Sequence, residues 1–183
     1  MAAKPTADLI EEHGGIMLML LIMGKVASKL EKDETIEQDH LNKIVKFLRN
    51  FADKCHHGKE EGILFPELLK LSEDKKVVNE LLGDHKTGRD LIRGIGDSIG
   101  SYQTGSPDAY HIAVNFREYI HILTKHIEKE NEILFPMADK QLSPEMQEVI
   151  GAQFVTLEKE VIGVGKHEQY HGWLDELKKI YLV

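Results

Sequence analysis

Apolar residues recur at three- and four-residue spacing through long stretches of this chain, and that period decides what it can fold into. Leu41, Val45, Leu48, Ala52 and Cys55 mark one stripe. Val78, Leu81, Leu82, Ile92, Ile95 and Ile99 mark a second. Ile112, Phe116, Ile120, Leu123, Ile127 and Leu134 mark a third. Such a stripe buries one helix face against neighbouring helices. No stretch alternates apolar and polar residues for long enough to read as a strand. Five helical segments are expected, at about 6–31, 36–65, 73–99, 107–135 and 144–179. Ser106-Pro107 and Ser143-Pro144 each read as an N-cap followed by proline at the first helical position. Thr35 with Gln38 reads as a capping box, and Thr6 and Ser72 as further N-caps. The prolines punctuate the helices and do not kink them. Long helices joined by short loops pack antiparallel. The expected fold is therefore all-α: an up-down antiparallel four-helix bundle over about 6–136, with an additional C-terminal fifth helix over about 144–179.

A chain of 183 residues suits a single domain, taken here as 1–183, with enough length to bury a core without staples. The net charge of −8 repels phosphate, which argues against nucleic acid and anionic membrane as partners. The single cysteine, Cys55, excludes an intramolecular disulfide and reads as a small core residue. The densest apolar run, 16–23, is far short of the roughly 20 residues that span a bilayer. Asp8, Glu11 and Glu12 precede it, where a signal peptide carries positive charge. A cytoplasmic location is expected. Because 16–23 is apolar nearly all round, it is expected to be covered on more than one side. The fifth helix or a second copy of the chain, as a homodimer, would provide the cover.

Ten histidines stand beside a large supply of glutamate, and a repeat organises them. The second segment ends in His56-His57-Gly58-Lys59-Glu60-Glu61-Gly62-Ile63-Leu64-Phe65-Pro66. The fourth ends in His126-Ile127-Glu128-Lys129-Glu130-Asn131-Glu132-Ile133-Leu134-Phe135-Pro136. Aligned on Ile-Leu-Phe-Pro, His56 matches His126 and Glu60 matches Glu130, which implies a pseudo-twofold arrangement. Histidine and glutamate at i and i+4 share one helix face and can reach one cation. Imidazole nitrogen and carboxylate oxygen suit iron, manganese and zinc. His13 lies in phase with Ile10, Met17 and Leu20, and His85 with Val78, Leu81 and Ile92. Both therefore fall on a buried stripe, where an imidazole needs a partner. His57-Glu61 has the same spacing as His56-Glu60. The repeat and the helical wheel both select His56 and Glu60, and they leave His57, with His40, His111 and His121, on solvated faces. The methionines read as core.

These residues and the Glu-Glu-x-Ile-Leu-Phe-Pro ending resemble the hemerythrin-like, or HHE cation-binding, family over roughly residues 6 to 136. The resemblance implies a non-haem di-iron centre, two iron ions bridged by two carboxylates and an oxygen, with manganese or zinc as substitutes. Carried over, His13 and His56 would hold one iron, His85 and His126 the other, and Glu60 and Glu130 would bridge them. Oxygen-carrying members have a second histidine one turn after the position of His85, where this chain has Arg89, which has no lone pair to offer. That departure argues against reversible oxygen carriage. His167 or His171, which share an apolar face with Leu157, Val164 and Leu174, could supply the missing nitrogen, His167 being favoured because Gly163 and Gly165 allow close approach. The expected function is to bind or react with O₂, peroxide or nitric oxide, in oxygen or redox sensing or in handling a small oxidant. Alternatives are an iron- or redox-state binding module without turnover, and a structural metal-binding bundle. An oxidoreductase activity stays open, because no catalytic triad or organic cofactor site is visible.

Overall fold

The computed structural model describes residues 4–71, 75–161, 163 and 166–182, without the side chains of 166 and 167. Six helices are seen among the described residues: α1 (Pro5–Leu30), α2 (38–71), α3 (Lys76–Ile99), α4 (107–141), α5 (Pro144–Val161) and α6 (Lys166–Tyr181). No strand occurs among them. The first four helices form the bundle, with α1 and α3 both packed on α4 and α2 lying against α3. The expected fifth segment is two helices. Gly163, between them, has a φ of +84°, a left-handed conformation that glycine adopts without a Cβ clash.

Two helices are longer than expected, and the reason is local. In α2 the backbone is π-helical over Leu48–His57 and again over Glu60–Leu64. In α4 it is π-helical over Glu130–Leu134. Each Ile-Leu-Phe-Pro sequence sits at a return from π to α, and the helix runs on past the proline to residues 71 and 141. In an α-helix the proline ring clashes with the carbonyl four residues back. The widened i→i+5 turn relieves that clash. Pro66 and Pro136 thus lie within helices and mark where the backbone changes pitch.

The expected caps divide. Ser106 accepts from the backbone N–H of Ala109 at 3.2 Å, and Ser143 from that of Met146 at 3.3 Å. Thr35 and Thr6 do not cap. Helix α2 starts after Glu37, and Gln38 reaches across to the carbonyl of Ile99. Thr6 lies inside α1 and donates to Asp139. Ser72 lies outside the described residues.

The core is split by a polar layer. One apolar cluster includes Met19, Phe47, Phe51, Ile95 and Phe116. The other includes Leu9, Phe65, Leu81, Phe135 and Phe154. On each bundle helix a histidine or glutamate falls between the two: His13 between Leu9 and Ile16, His56 and Glu60 between Cys55 and Leu64, His85 between Leu81 and Ile92, Glu130 between Ile127 and Leu134. Helix α6 lies on α1 and supplies Leu174 and Leu177 to the first cluster. It covers much of the run 16–23, although Leu21 stays 60% exposed. Cys55 is buried, as expected, and burial pushes its thiol up to about 12, so it is inert at neutral pH.

Candidate metal centre

Four helices bring seven side chains into the polar layer. His13 comes from α1, His56, His57 and Glu60 from α2, His85 from α3, and His126 and Glu130 from α4, and all are buried. Their donor atoms form two groups. His13, His56, Glu60 and Glu130 converge on one point. His57, Glu60, His85 and His126 converge on another. Within each group the atoms lie within 4.8 Å of one another. Glu60 belongs to both, with one oxygen 3.5 Å from His56 Nε2 and the other 3.4 Å from His85 Nε2. Glu130 is placed likewise, 3.2 Å from His13 Nε2 and 3.2 Å from His126 Nε2 through its two oxygens.

The outer contacts repeat the pseudo-symmetry. Each lone histidine is held through Nδ1 by the residue after the opposite glutamate: His13 by Asn131 at 2.9 Å, and His85 by Glu61 at 2.7 Å. Each repeat histidine faces the residue before a lone histidine: His56 meets Glu12 at 2.8 Å, and His126 meets Asp84 at 3.5 Å. The phenylalanines of the two repeats stack on the lone histidines, Phe65 on His85 and Phe135 on His13. With Nδ1 held, Nε2 is the atom presented inward. This is how metal-binding imidazoles are fixed in tautomer and orientation.

The symmetry breaks at one place. His57 occupies the position that Ile127 holds in the other repeat. It was expected on a solvated face, but it is only 3% exposed and stacks on His85 at 3.8 Å between ring centroids. The α-helical wheel misplaces it because residues 48–57 are π-helical. A wider turn rotates less per residue, so the neighbours His56 and His57 both face inward. Asp53, one turn back, lies 3.5 Å from His57 Nδ1. One group therefore has three imidazoles and the other two.

Arg89 closes this side. Its Nη1 donates to Asp53 at 3.0 Å and to Glu61 at 2.8 Å. These are the carboxylates that face His57 and His85. Hydrogen bonds from His85 and then Arg89 hold Glu61 down to about 2. On the opposite side Lys59, buried, bonds Glu12 and reaches Glu158 on α5 at 3.2 Å. A cleft of about 200 Å³ opens there, lined by Asp8, Glu11, Glu12, Lys59, Glu158 and His171 among others. His171 is exposed in that cleft and does not join either group. The side chain of His167 lies outside the described residues.

Electrostatics argue for cations at both points. His13 Nε2, His56 Nε2, both nitrogens of His57 and all four oxygens of Glu60 and Glu130 are buried without a hydrogen-bond partner among the described residues. An orphaned buried polar atom costs about 1–3 kcal/mol, and here eight gather in one layer. Burial lowers the pKa of His56, His57 and His85, so these imidazoles are neutral and ready to coordinate. Burial, with the Glu130 charge beside it, raises Glu60 well above the usual carboxylate range. Burial also disfavours charge on His126, yet Glu130 and Asp84 outweigh it and raise its pKa to about 9. That proton answers the buried carboxylates, and a bound cation would take over the role. A third group, Glu12, Cys55 and Glu158, is already served by Lys59.

Fold and site together define a helical bundle with a metal-binding His/Glu core. The Hemerythrin HHE cation binding domain family matches residues 4–138, and the chain belongs to it. Proteins described as uncharacterized from Mycobacterium bovis and Mycobacterium tuberculosis are each 26% identical over 130 residues, which cover 70% of this chain and 51% of the relative. The chain thus spans about half the length of these curated relatives. No solved structure matches it significantly. Among the described residues no helix is long and apolar enough to cross a membrane.

Proposed function

We propose that this protein holds two iron ions and reacts with a small oxidant, dioxygen, peroxide or nitric oxide, in the cytoplasm. Glu60 and Glu130 would bridge. His57, His85 and His126 would hold one ion, and His13 and His56 the other. Manganese or zinc could substitute. When bound, the ions supply a redox couple and a site where a small ligand can coordinate.

The observation that carries this reading is the broken repeat. Where one group has His57, the other has Ile127, so the ion held by His13 and His56 has one nitrogen fewer. A third imidazole on the first ion fills the place that Arg89 leaves, and no nitrogen from the C-terminal helices is required. The count of five imidazoles therefore removes the ligand-number argument against oxygen carriage. A different feature favours reaction over carriage. The His56 side is backed by Glu12 and Lys59 and a polar cleft. Long-lived carriage calls for a site that excludes water and protons. Here charged groups that hold and move protons stand directly behind a ligating imidazole.

Elemental analysis and optical spectra of the freshly purified protein test the metal. Two iron ions per chain support the reading, and one ion or none in folded, reconstituted protein would sink it. Ferrous protein mixed with peroxide or O₂ should be oxidised within minutes. A stable adduct that releases O₂ on degassing would show carriage instead. Tight zinc binding with no change on oxidant would favour the structural bundle.

A further inference from the structure

A second cleft lies beyond Arg89, on the α2–α3 face. It has a volume of about 310 Å³ and is lined by Arg49, Asp53, Lys54, Arg89, Ile92 and Arg93. Four cations against one carboxylate form a local exception on a chain of net charge −8. The acids nearby leave part of that charge unanswered. Arg93 is paired with Asp90 at 3.1 Å. Arg89 makes both of its carboxylate contacts through Nη1, which leaves Nε and Nη2 as donors on a side chain 37% exposed. No ion pair is seen for Arg49 or Lys54 among the described residues.

Arg49 also lies against the backbone opposite. A Cβ at Gly96 on α3 would run into the Arg49 guanidinium, which rests where only glycine leaves room. Guanidinium forks match carboxylate and phosphate oxygens, and the spare charge, Arg49 with Lys54, matches a dianion.

We propose that this cleft binds a small dianionic oxyanion of the phosphate class, free or as a small monoester. Arg49 and Lys54 supply the charge, and the free edge of Arg89 faces the ligand. The net charge of −8 describes the overall field of the chain, and this face departs from it locally.

Isothermal titration of the metal-loaded protein with inorganic phosphate, at constant ionic strength, tests the proposal. Saturable binding is expected at one site per chain. Arg49→Gln with Lys54→Gln should weaken it tenfold or more, since both spare cations and their charge-assisted hydrogen bonds are lost. Gly96→Ala keeps every charge but displaces the Arg49 guanidinium, and should weaken binding several-fold with the far-UV circular dichroism unchanged. Tighter binding of glycerol phosphate than of phosphate would identify a monoester as the ligand class, and the reverse order would identify the free ion. Absence of saturable binding overturns the proposal. So does wild-type affinity in the double variant, because it would place the phosphate at the metal centre.

Discussion

His57 shows how much one side chain decides. Its six neighbours in the polar layer could be arranged symmetrically, but His57 in place of an apolar residue makes the two halves unequal. His57→Ile, which copies Ile127, should leave two ions bound at first. Affinity for one should then fall, and the optical spectrum should become that of a more symmetric centre; titration with a competing chelator measures the loss. Glu60→Ala and Glu130→Ala should lose one or both ions, because each removes a carboxylate shared by two groups. Glu61→Ala should also be felt. The repeat selects Glu60 over it as a ligand, but Glu61 accepts from His85 and Arg89, and loss of such an outer partner typically costs 10–100-fold in metal affinity. Unchanged affinity in Glu61→Ala would mean that His85 needs no support.

At the scale of the element, the π-helical stretches explain what a helical wheel misses. They bring adjacent histidines to one face and let prolines sit inside a helix. Caps follow simpler rules. Ser106→Ala should cost about 1 kcal/mol in thermal or denaturant unfolding, because its hydroxyl satisfies an otherwise free backbone donor at the start of α4. Thr35→Ala should cost less, since Thr35 is paired with Thr104 at the surface and caps no backbone N–H among the described residues. Equal losses in the two variants would show that the Ser106 cap contributes nothing special. Helices α5 and α6 do more than cover. Ile150, Phe154, Leu174 and Leu177 are buried, and burial of each contributes about 2 kcal/mol. Their sum rivals the whole stability of a domain. A chain truncated after 141 should therefore fail to fold cooperatively.

For the whole molecule, metal binding and folding should be coupled, since the candidate ligands come from all four bundle helices. Chelation should lower the melting temperature by several degrees, read by circular dichroism. Acid should act in the same direction. Coordinating imidazoles must be neutral, and burial lowers His56, His57 and His85 below their ordinary value of about 6.5. A group with a depressed folded pKa contributes stability above its unfolded pKa and loses it as pH falls. Glu60, whose pKa is raised, offsets part of that loss, while His126, protonated in both states near pH 6, leaves the slope alone. Metal content and the melting temperature of the loaded protein should both fall below about pH 6.5, while in the metal-free protein the raised pKa of His126 withdraws its contribution as pH rises from about 6.5 to about 9. A melting temperature of the loaded protein that rises on acidification would contradict the neutral assignment of these imidazoles.

The all-helical bundle, the His-x-x-x-Glu repeat and six of the seven side chains in the polar layer were legible from the chain alone. They depend on period and spacing, which are local properties of a helix. The pseudo-twofold relation was legible too, because Ile-Leu-Phe-Pro recurs at the same offset from each pair. What could not be read was anything that depends on a change of helical pitch or on a distant partner. An α-helical wheel turned His57 to solvent because the π-helical turn that redirects it forms only with the repeat packed in the bundle. Glu12, Asp84 and Asn131 carried no signal as imidazole partners, and Arg89 stood out only as a side chain without a lone pair, since nothing in their own neighbourhoods names the imidazole or carboxylate each one meets. Tertiary packing alone brought them there, because a charged group is drawn into the interior only where a second charge from another helix offsets its lost hydration.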